Sequence, residues 1–352
     1  MTIPKKRKRM DNIDLVLLGF GNVGRAFAHL LLEKEEQLRQ RYGLAFRVVG
    51  IGTGHHGACI DSGGLPLRQA IELMEGGGRL DSLSDGHPPA SGPEFIRASA
   101  ARAMLENTPV NYETGQPALD HIRAALESGM HAITANKGPV VHGYRQLMQL
   151  ARVHDRKFLF ESAVMDGAPV FGMWREGLPA ANLRSFRGVL NSTTNLMLSL
   201  MQEGRTYPEA LSHAQSIGIA ETDPSGDTQG WDAAVKAAAL VTVLMGVDMR
   251  PDQVDREGIE GLRLEDVQAA GAAGERWKLI CSGERTDRGA RAKVQPERIG
   301  PEDPLYNVMG TSSAVTFHSD VLGALTLTET DPGPETTAYG LLADLLNAVR
   351  KR

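Results

Sequence analysis

The first ordered pattern is DLVLLGF, Asp14–Phe20, an apolar run with Leu, Val or Phe on both alternating faces. A run of that kind predicts a strand buried on both sides. NVGRAFAHLLLEKEEQLRQ follows, with apolar residues three and four apart, and predicts a helix. FRVVGIG (Phe46–Gly52) predicts a second strand, and Leu67–Glu75 a short helix stopped by Gly76, Gly77 and Gly78. DSLSDGHPPASGPEF is rich in turn formers and predicts an exposed connection. AMLENTPV predicts a third strand unit and QPALDHIRAALESG a helix ending at Gly129. HAITANKG then reads as a strand with its loop, before another helix and KFLFESAV. Strand and helix in alternation predict a parallel sheet with crossover helices.

Beyond residue 162 that alternation breaks. LRSFRGVL, RWKLICSG, ARAKVQP, AVTFHSD and ALTLTET are strand candidates with helices placed irregularly between them. They predict an α+β region on a mixed or antiparallel sheet. TTAYGLLADLLNAVR has an apolar face and predicts a closing helix, 336–350, that packs back on the first region.

Composition narrows the class. The 352 residues suffice for two domains, each with its own core. A net charge of −5 argues against a nucleic-acid binder, which is normally basic. Only Cys59 and Cys281 are cysteines, so no disulfide framework is implied and a reducing cytoplasm fits. No apolar run reaches the roughly 18–20 residues that span a bilayer, so no membrane partner is expected. The basic start, MTIPKKRKRM, lacks the apolar segment of a secretory signal and reads as a solvated tail.

GFGNVG directly follows the first strand and opens the first helix. Gly19 permits the tight turn, Gly21 lets backbone approach a pyrophosphate, and Gly24 allows close helix–strand packing. The whole turn, with Phe20, Asn22 and Val23, is expected to wrap a dinucleotide. The fold class is therefore α/β: a Rossmann-type doubly wound parallel sheet domain over 12–161, then a second α+β domain built on a mixed sheet over 162–335. At the ribose end, no acid lies between Glu36 and Asp61. An absent carboxylate tolerates a 2′-phosphate, which favours NADP over NAD, although no Arg replaces it and Thr53, His55 and His56 are the nearest polar groups. His55, His56 and Cys59 lack a fourth ligand and read as loop residues rather than a metal site.

ETDPSGDTQGWDAAVKAAALVTVLMGV, residues 221–247, poses a separate problem. Between Ala233 and Val247 only Lys236 is charged, and helical spacing puts it on one face with Asp232. A helix apolar on all sides is normally buried, and a buried charge is costly unless paired or used. The pair is either a structural ion pair or a catalytic lysine beside a carboxylate. Desolvation disfavours the charged form of such a lysine and brings it toward the reactivity of a base.

Several segments together resemble the homoserine dehydrogenase family. They are GFGNVG, NTPVNYETGQPALDHIRAALESGMHAITANKGPV, ESAVMDGAPV, GVLNSTTNLML, ETDPSGDTQGWDAAVK and NVMGTSSAVTFHSDVLG, in the family's order over nearly the whole chain. The resemblance implies interconversion of L-homoserine and L-aspartate 4-semialdehyde with NAD or NADP, on the route to threonine and methionine. It makes Lys236 the proton donor and acceptor, with Glu221 and Asp232 holding substrate and Asp227 supporting Lys236. It places Lys137 near nicotinamide and substrate, assigns substrate binding and catalysis to the second domain, and implies a homodimer formed through that domain. Glu161, Val164, Asp166 and Ala168 match positions that bind a monovalent cation such as Na+, mostly through carbonyls.

The residues add their own argument. Lys137 follows HAIT, at the carboxyl end of a parallel strand, where open α/β sheets bind ligands, and Thr108 and Pro109 end the neighbouring strand. A zwitterionic substrate also explains why acids crowd residues 221–232. Asp227 has a competing reading as a helix N-cap, shared with Thr228. The family's GPGAG-type loop before the last helix is replaced by ETDPGPETTAYG, which leaves Gly333 as the expected cofactor contact there. No regulatory domain follows that helix, so threonine inhibition through one is not expected. Two alternatives stand beside this reading: a dehydrogenase of another small amino acid or aldehyde, and a non-catalytic dinucleotide sensor.

Overall fold

β1 (Asp11–Leu18) is the keystone of the first sheet, because Ile13, Leu15, Val16 and Leu17 leave neither of its faces exposed. Around it lie β2 (Leu44–Gly52), β3 (Ala58–Ile60), β4 (Ala103–Glu106), β5 (His131–Thr134) and β6 (Phe158–Leu159). The order is β3-β2-β1-β4-β5-β6, all parallel except β3, which runs antiparallel to β2. The structure, a computed structural model, describes residues 10–84, 86 and 88–350. Residues 1–9 of the basic N-terminal stretch lie outside them.

The connecting helices are α1 (Asn22–Glu33), α2 (Leu67–Glu75), α3 (Gly92–Ser99), α4 (Ala118–Glu127) and α5 (Gly138–Val153). α1 ends at Glu33, and after a break at Lys34 the predicted span continues in helical turns over Glu35–Gln37 and Leu38–Tyr42. Between Leu32 and Leu38 there is no apolar residue to hold a continuous helix on the core, and the chain turns at Lys34. α3 was expected to be exposed connection. Ser91 caps it by accepting the Glu94 N–H at 3.4 Å, Pro93 occupies its first turn, and Phe95 and Ile96 are buried.

The second sheet contains β7 (Leu183–Val189), β8 (Asp255–Arg256), β9 (Arg276–Thr286), β10 (Gly289–Ile299), β11 (Ser313–Ser319) and β12 (Ala324–Glu329). Its order is β12-β11-β7-β9-β10-β8, antiparallel apart from the β10–β8 pair, so it is mixed. α6 (Ser192–Gln202), α7 (Tyr207–Ser216), α8 (Trp231–Leu240) and α9 (Leu264–Ala272) accompany it. The small side chains of α8 let it pack closely on β9 and β10, and Ala233 to Val235 and Ala237 to Leu240 are fully buried.

α10 (Pro334–Val349) returns to the first sheet. Its Ala338, Leu341 and Leu345 share a core with Leu15, Phe27 and Leu31. The opposite face of that sheet, through Val16, Phe95 and Ile122, belongs to a core continuous with the buried face of α8. That continuity sets the carboxyl edge of the first sheet against the start of α8.

Candidate active site

The glycine-rich turn has the shape its sequence requires. Gly19 adopts φ +84°, and a side chain there would overlap the carbonyl of Asn107. A side chain at Gly24 would overlap the carbonyl of Gly19, whereas one at Gly21 would meet nothing within 4 Å. The open position is the one a pyrophosphate must approach. Arg25 fixes the turn, donating to Asn22 Oδ1 at 2.9 Å and to the Phe20 carbonyl at 3.3 Å. No side chain caps α1, so its first N–H groups are left for an anion. These residues fit a dinucleotide.

At the end of β2, Thr53 donates to the Gly57 carbonyl at 2.8 Å and accepts the His56 N–H at 2.9 Å. The expectation that no arginine stands near this turn is corrected. Arg79, remote in sequence, donates to the His55 carbonyl at 3.1 Å and pairs with Asp81 at 2.7 Å. Cys59 is buried, with its thiol pushed up to about 12 by that burial, and His56 meets the Gly78 carbonyl at 3.2 Å. Among the described residues no cluster of His, Cys, Asp or Glu could hold a metal.

The loops after β4 and β5 are tied together at the sheet's carboxyl edge. Asn136 donates to the carbonyls of Thr108 at 3.0 Å and Pro109 at 3.4 Å, and its Oδ1 accepts the Gly138 N–H at 2.9 Å. Lys137 is thereby delivered at the start of α5 with its side chain only 15% exposed.

Across from it, α8 presents Asp232 and Lys236 one turn apart. Lys236 Nζ lies 3.0 Å from Asp232 Oδ2 and donates to the Leu190 carbonyl at 2.6 Å. Lys137 Nζ lies 3.2 Å from the other oxygen, Oδ1. Asn191 donates to Asp227 at 2.6 Å and to Asp232 at 3.1 Å, and so links the two acids. Burial by itself would raise the Asp232 pKa, but Lys236, Lys137 and the Asn191 bond overcome it and hold the carboxyl well below its usual range. Asp227 moves the opposite way, raised by burial and then by the Asp232 charge. It caps no helix; Gly230, at φ +80°, precedes α8, and the link from Asp227 to Asp232 runs through Asn191.

The other expected residues are more dispersed. Glu221 is exposed, and its backbone carbonyl accepts from Gln215 at 3.1 Å. Gly333 precedes α10, its N–H donating to Thr336 Oγ1 at 3.0 Å. Glu161 is buried with both carboxylate oxygens taken by N–H groups, Phe171 at 2.5 Å and Gly172 at 2.6 Å. Asp166 accepts the Thr337 hydroxyl at 2.6 Å, the Ala168 carbonyl accepts the Val170 N–H at 2.8 Å, and Val164 is buried.

Asn191 and Tyr112 were not anticipated. Asn191 sits at the N-cap of α6, where a strand-to-helix Asn-Ser-Thr-Thr run was its only signal. The Tyr112 ring packs 3.7 Å from the position a side chain would occupy at Gly226, next to Asp227. Burial, then the charges of Asp232 and Asp227, raise its pKa, so its phenol stays a proton-bearing donor. Tyr112 also borders a cavity of about 720 Å³ shared with Trp231 and Arg250.

A nucleotide cradle at the edge of a parallel sheet, facing a shielded ammonium bound only to oxygen, describes an NAD(P)-dependent oxidoreductase. Comparison with known proteins narrows the class. Residues 19–161 match the family profile described as homoserine dehydrogenase, NAD binding domain, and residues 169–346 match that described as homoserine dehydrogenase. The chain belongs to the homoserine dehydrogenase family. It is 33% identical to an NAD(+)-dependent homoserine dehydrogenase of Pseudomonas canavaninivorans, over 96% of each chain. Identity to the homoserine dehydrogenase of Methanocaldococcus jannaschii is 34%, over 95% of this chain and 98% of that one. A hyperthermophilic archaeal homoserine dehydrogenase solved with NADPH superposes with a TM-score of 0.81 at 29% identity, covering 96% of this chain and 98% of that one.

Proposed function

We propose that Lys236 exchanges the proton when L-homoserine and L-aspartate 4-semialdehyde are interconverted. The supporting observation is its ammonium, 15% exposed and held at 3.0 Å by Asp232 at the sheet edge that carries Lys137. Bound NAD(P)+ supplies the hydride acceptor. In reduction the Lys236 ammonium gives a proton to the forming alkoxide; in oxidation Lys236 acts as the neutral amine and takes the proton of the substrate hydroxyl as hydride leaves the carbon that bears it. Lys137 orients the substrate, Asn191 anchored by Asp227 holds Asp232 and so supports Lys236, and Glu221 on the rim receives the substrate ammonium with Asp232. Thr108 and Pro109 line the nicotinamide, and Gly333 approaches the cofactor from the start of α10. Residues 12–161 form the nucleotide part and 162–335 the substrate part. Lys236→Met should cut kcat by at least about a thousandfold while nucleotide affinity stays within about threefold. Turnover equal to the parent's would refute the role.

NADP is favoured over NAD, because β2 is followed by Thr53 rather than a carboxylate and Arg79 stands at the following turn. A homodimer is favoured through the second sheet, where Val321 and Leu322 lie exposed beside β12. Sedimentation of the full chain tests it. N–H groups already fill the Glu161 carboxylate, so a monovalent cation at Glu161, Val164, Asp166 and Ala168 would be held mostly through backbone carbonyls, and no step runs through one. The buried thiols of Cys59 and Cys281 suit a reducing cytoplasm. Among the described residues no helix is long and apolar enough to cross a membrane.

A further inference from the structure

We infer that Glu106 is a positioning residue for the redox reaction, its buried carboxylate setting the two loops that bring Thr108 and Lys137 to the sheet edge. Glu106 ends β4 and is fully buried, in register with Leu18 on one side and Thr134 on the other. Oε1 accepts the Thr108 N–H at 3.1 Å and also the Thr108 hydroxyl. The Thr134 hydroxyl is shared between Oε2 at 3.0 Å and the Glu106 main-chain carbonyl at 2.8 Å. The only ion-pair distance it has among the described residues is 3.6 Å, to His121 Nδ1 on α4, beyond hydrogen-bond reach.

A carboxyl group this deep is a poor choice for filling space; an apolar side chain would serve better. What the carboxylate provides is an acceptor on both oxygens. Its bonded neighbours are donors, and they belong to the loops after β4 and β5. The Thr134 hydroxyl accepts the Asn136 N–H at 2.9 Å, and Asn136 donates to the Thr108 carbonyl at 3.0 Å. The circuit Glu106–Thr108–Asn136–Thr134 is thus closed. The next residue is Lys137, whose ammonium reaches Asp232 in the other half of the molecule. A glutamine at position 106 would turn an NH2 toward one of these donors and open the circuit.

The inference rests on the role proposed above for Lys137, and the test separates the two. Glu106→Gln, Lys137→Met and the double variant are assayed for kcat, KM and nucleotide affinity on the full chain. Glu106→Gln alone is expected to lower kcat about tenfold or more, with nucleotide affinity within about threefold, because the glycine-rich turn is untouched. In the Lys137→Met background the same change should cost about twofold or less, since of the two loops only the one that carries Thr108 is left to position. A single variant with parental kcat, or losses that multiply in the double variant, would overturn the inference. If Lys137→Met itself keeps parental kinetics, the Lys137 role fails first, and this inference with it. Should Glu106→Gln fail to fold, Thr134→Val opens the circuit from the other side and is read in the same cycle.

Discussion

Lys137 and Asp232 meet at 3.2 Å although one follows the last strong strand of the nucleotide sheet and the other begins a helix of the second sheet. Because Lys236 takes the other oxygen at 3.0 Å, a single carboxylate bridges two ammonium groups and compensates only one of their two charges. Asp232→Asn keeps the shape and removes the charge, leaving the two ammonium groups facing each other. We expect a loss of roughly 2–4 kcal/mol of stability at pH 7, read from the urea midpoint. The depressed Asp232 pKa fixes the sign with pH: the stabilisation is present above the unfolded carboxylate value of about 4 and fades as pH falls through the folded one. An unchanged midpoint at pH 7 would show that the bridge contributes nothing.

Gly21 and Gly24 should fail in different ways. Gly21→Ala adds a methyl into open space, so the melting temperature should stay within about a degree of the parent while nucleotide affinity falls about tenfold or more. Gly24→Ala forces a carbon against the Gly19 carbonyl, and the melting temperature should drop by several degrees, roughly 1–3 kcal/mol. Calorimetry of the two purified variants reports both outcomes, and the reverse pattern would remove the pyrophosphate from this turn.

Local patterns carried most of the fold into view from the sequence. Apolar runs such as DLVLLGF marked strands buried on both faces, and the otherwise apolar run of α8 announced its burial and made Asp232 and Lys236 conspicuous. The helix α3 was hidden because Ser91, Gly92 and Pro93 signal a turn as strongly as they signal a capped helix start. In the site, the glycine-rich turn, Lys137 at the end of HAIT and the Asp232–Lys236 pair were legible, the pair because helical spacing alone brings it together. Lys137, Asn191, Tyr112 and Arg79 reach their partners through sheet order and continuous core packing, and spacing along the chain carries no trace of that.

Arg79 gives a direct test of nucleotide preference. Its guanidinium is exposed, tethered to the His55 carbonyl and Asp81 beside the turn where a ribose phosphate would lie. Arg79→Gln should raise KM for NADP by about fivefold or more and leave KM for NAD within about twofold. Equal changes for both nucleotides would place Arg79 away from the 2′-phosphate.

The junction between the two sheets holds a pH dependence of its own. Glu161 and Asp344 are buried together, Asp344 accepting the Glu161 N–H at 2.6 Å. Burial, then the Asp344 charge, pushes Glu161 up to about 7 against the bonds from Gly172 and Phe171, and burial pushes Asp344 up to about 6. Between about pH 4 and pH 7 the folded chain therefore keeps protons that the unfolded chain has released. Stability from this pair falls as pH rises through that window and reaches its lowest value above pH 7. Asp344→Asn removes one of the two charges while its side-chain oxygen can still accept the Glu161 N–H. It should raise stability at pH 8 by roughly 1–3 kcal/mol and change it little at pH 5, where Asp344 is already largely protonated. Chemical unfolding of both proteins at the two pH values decides the point; a variant less stable than the parent at pH 8 would mean that the Asp344 charge helps to hold the junction.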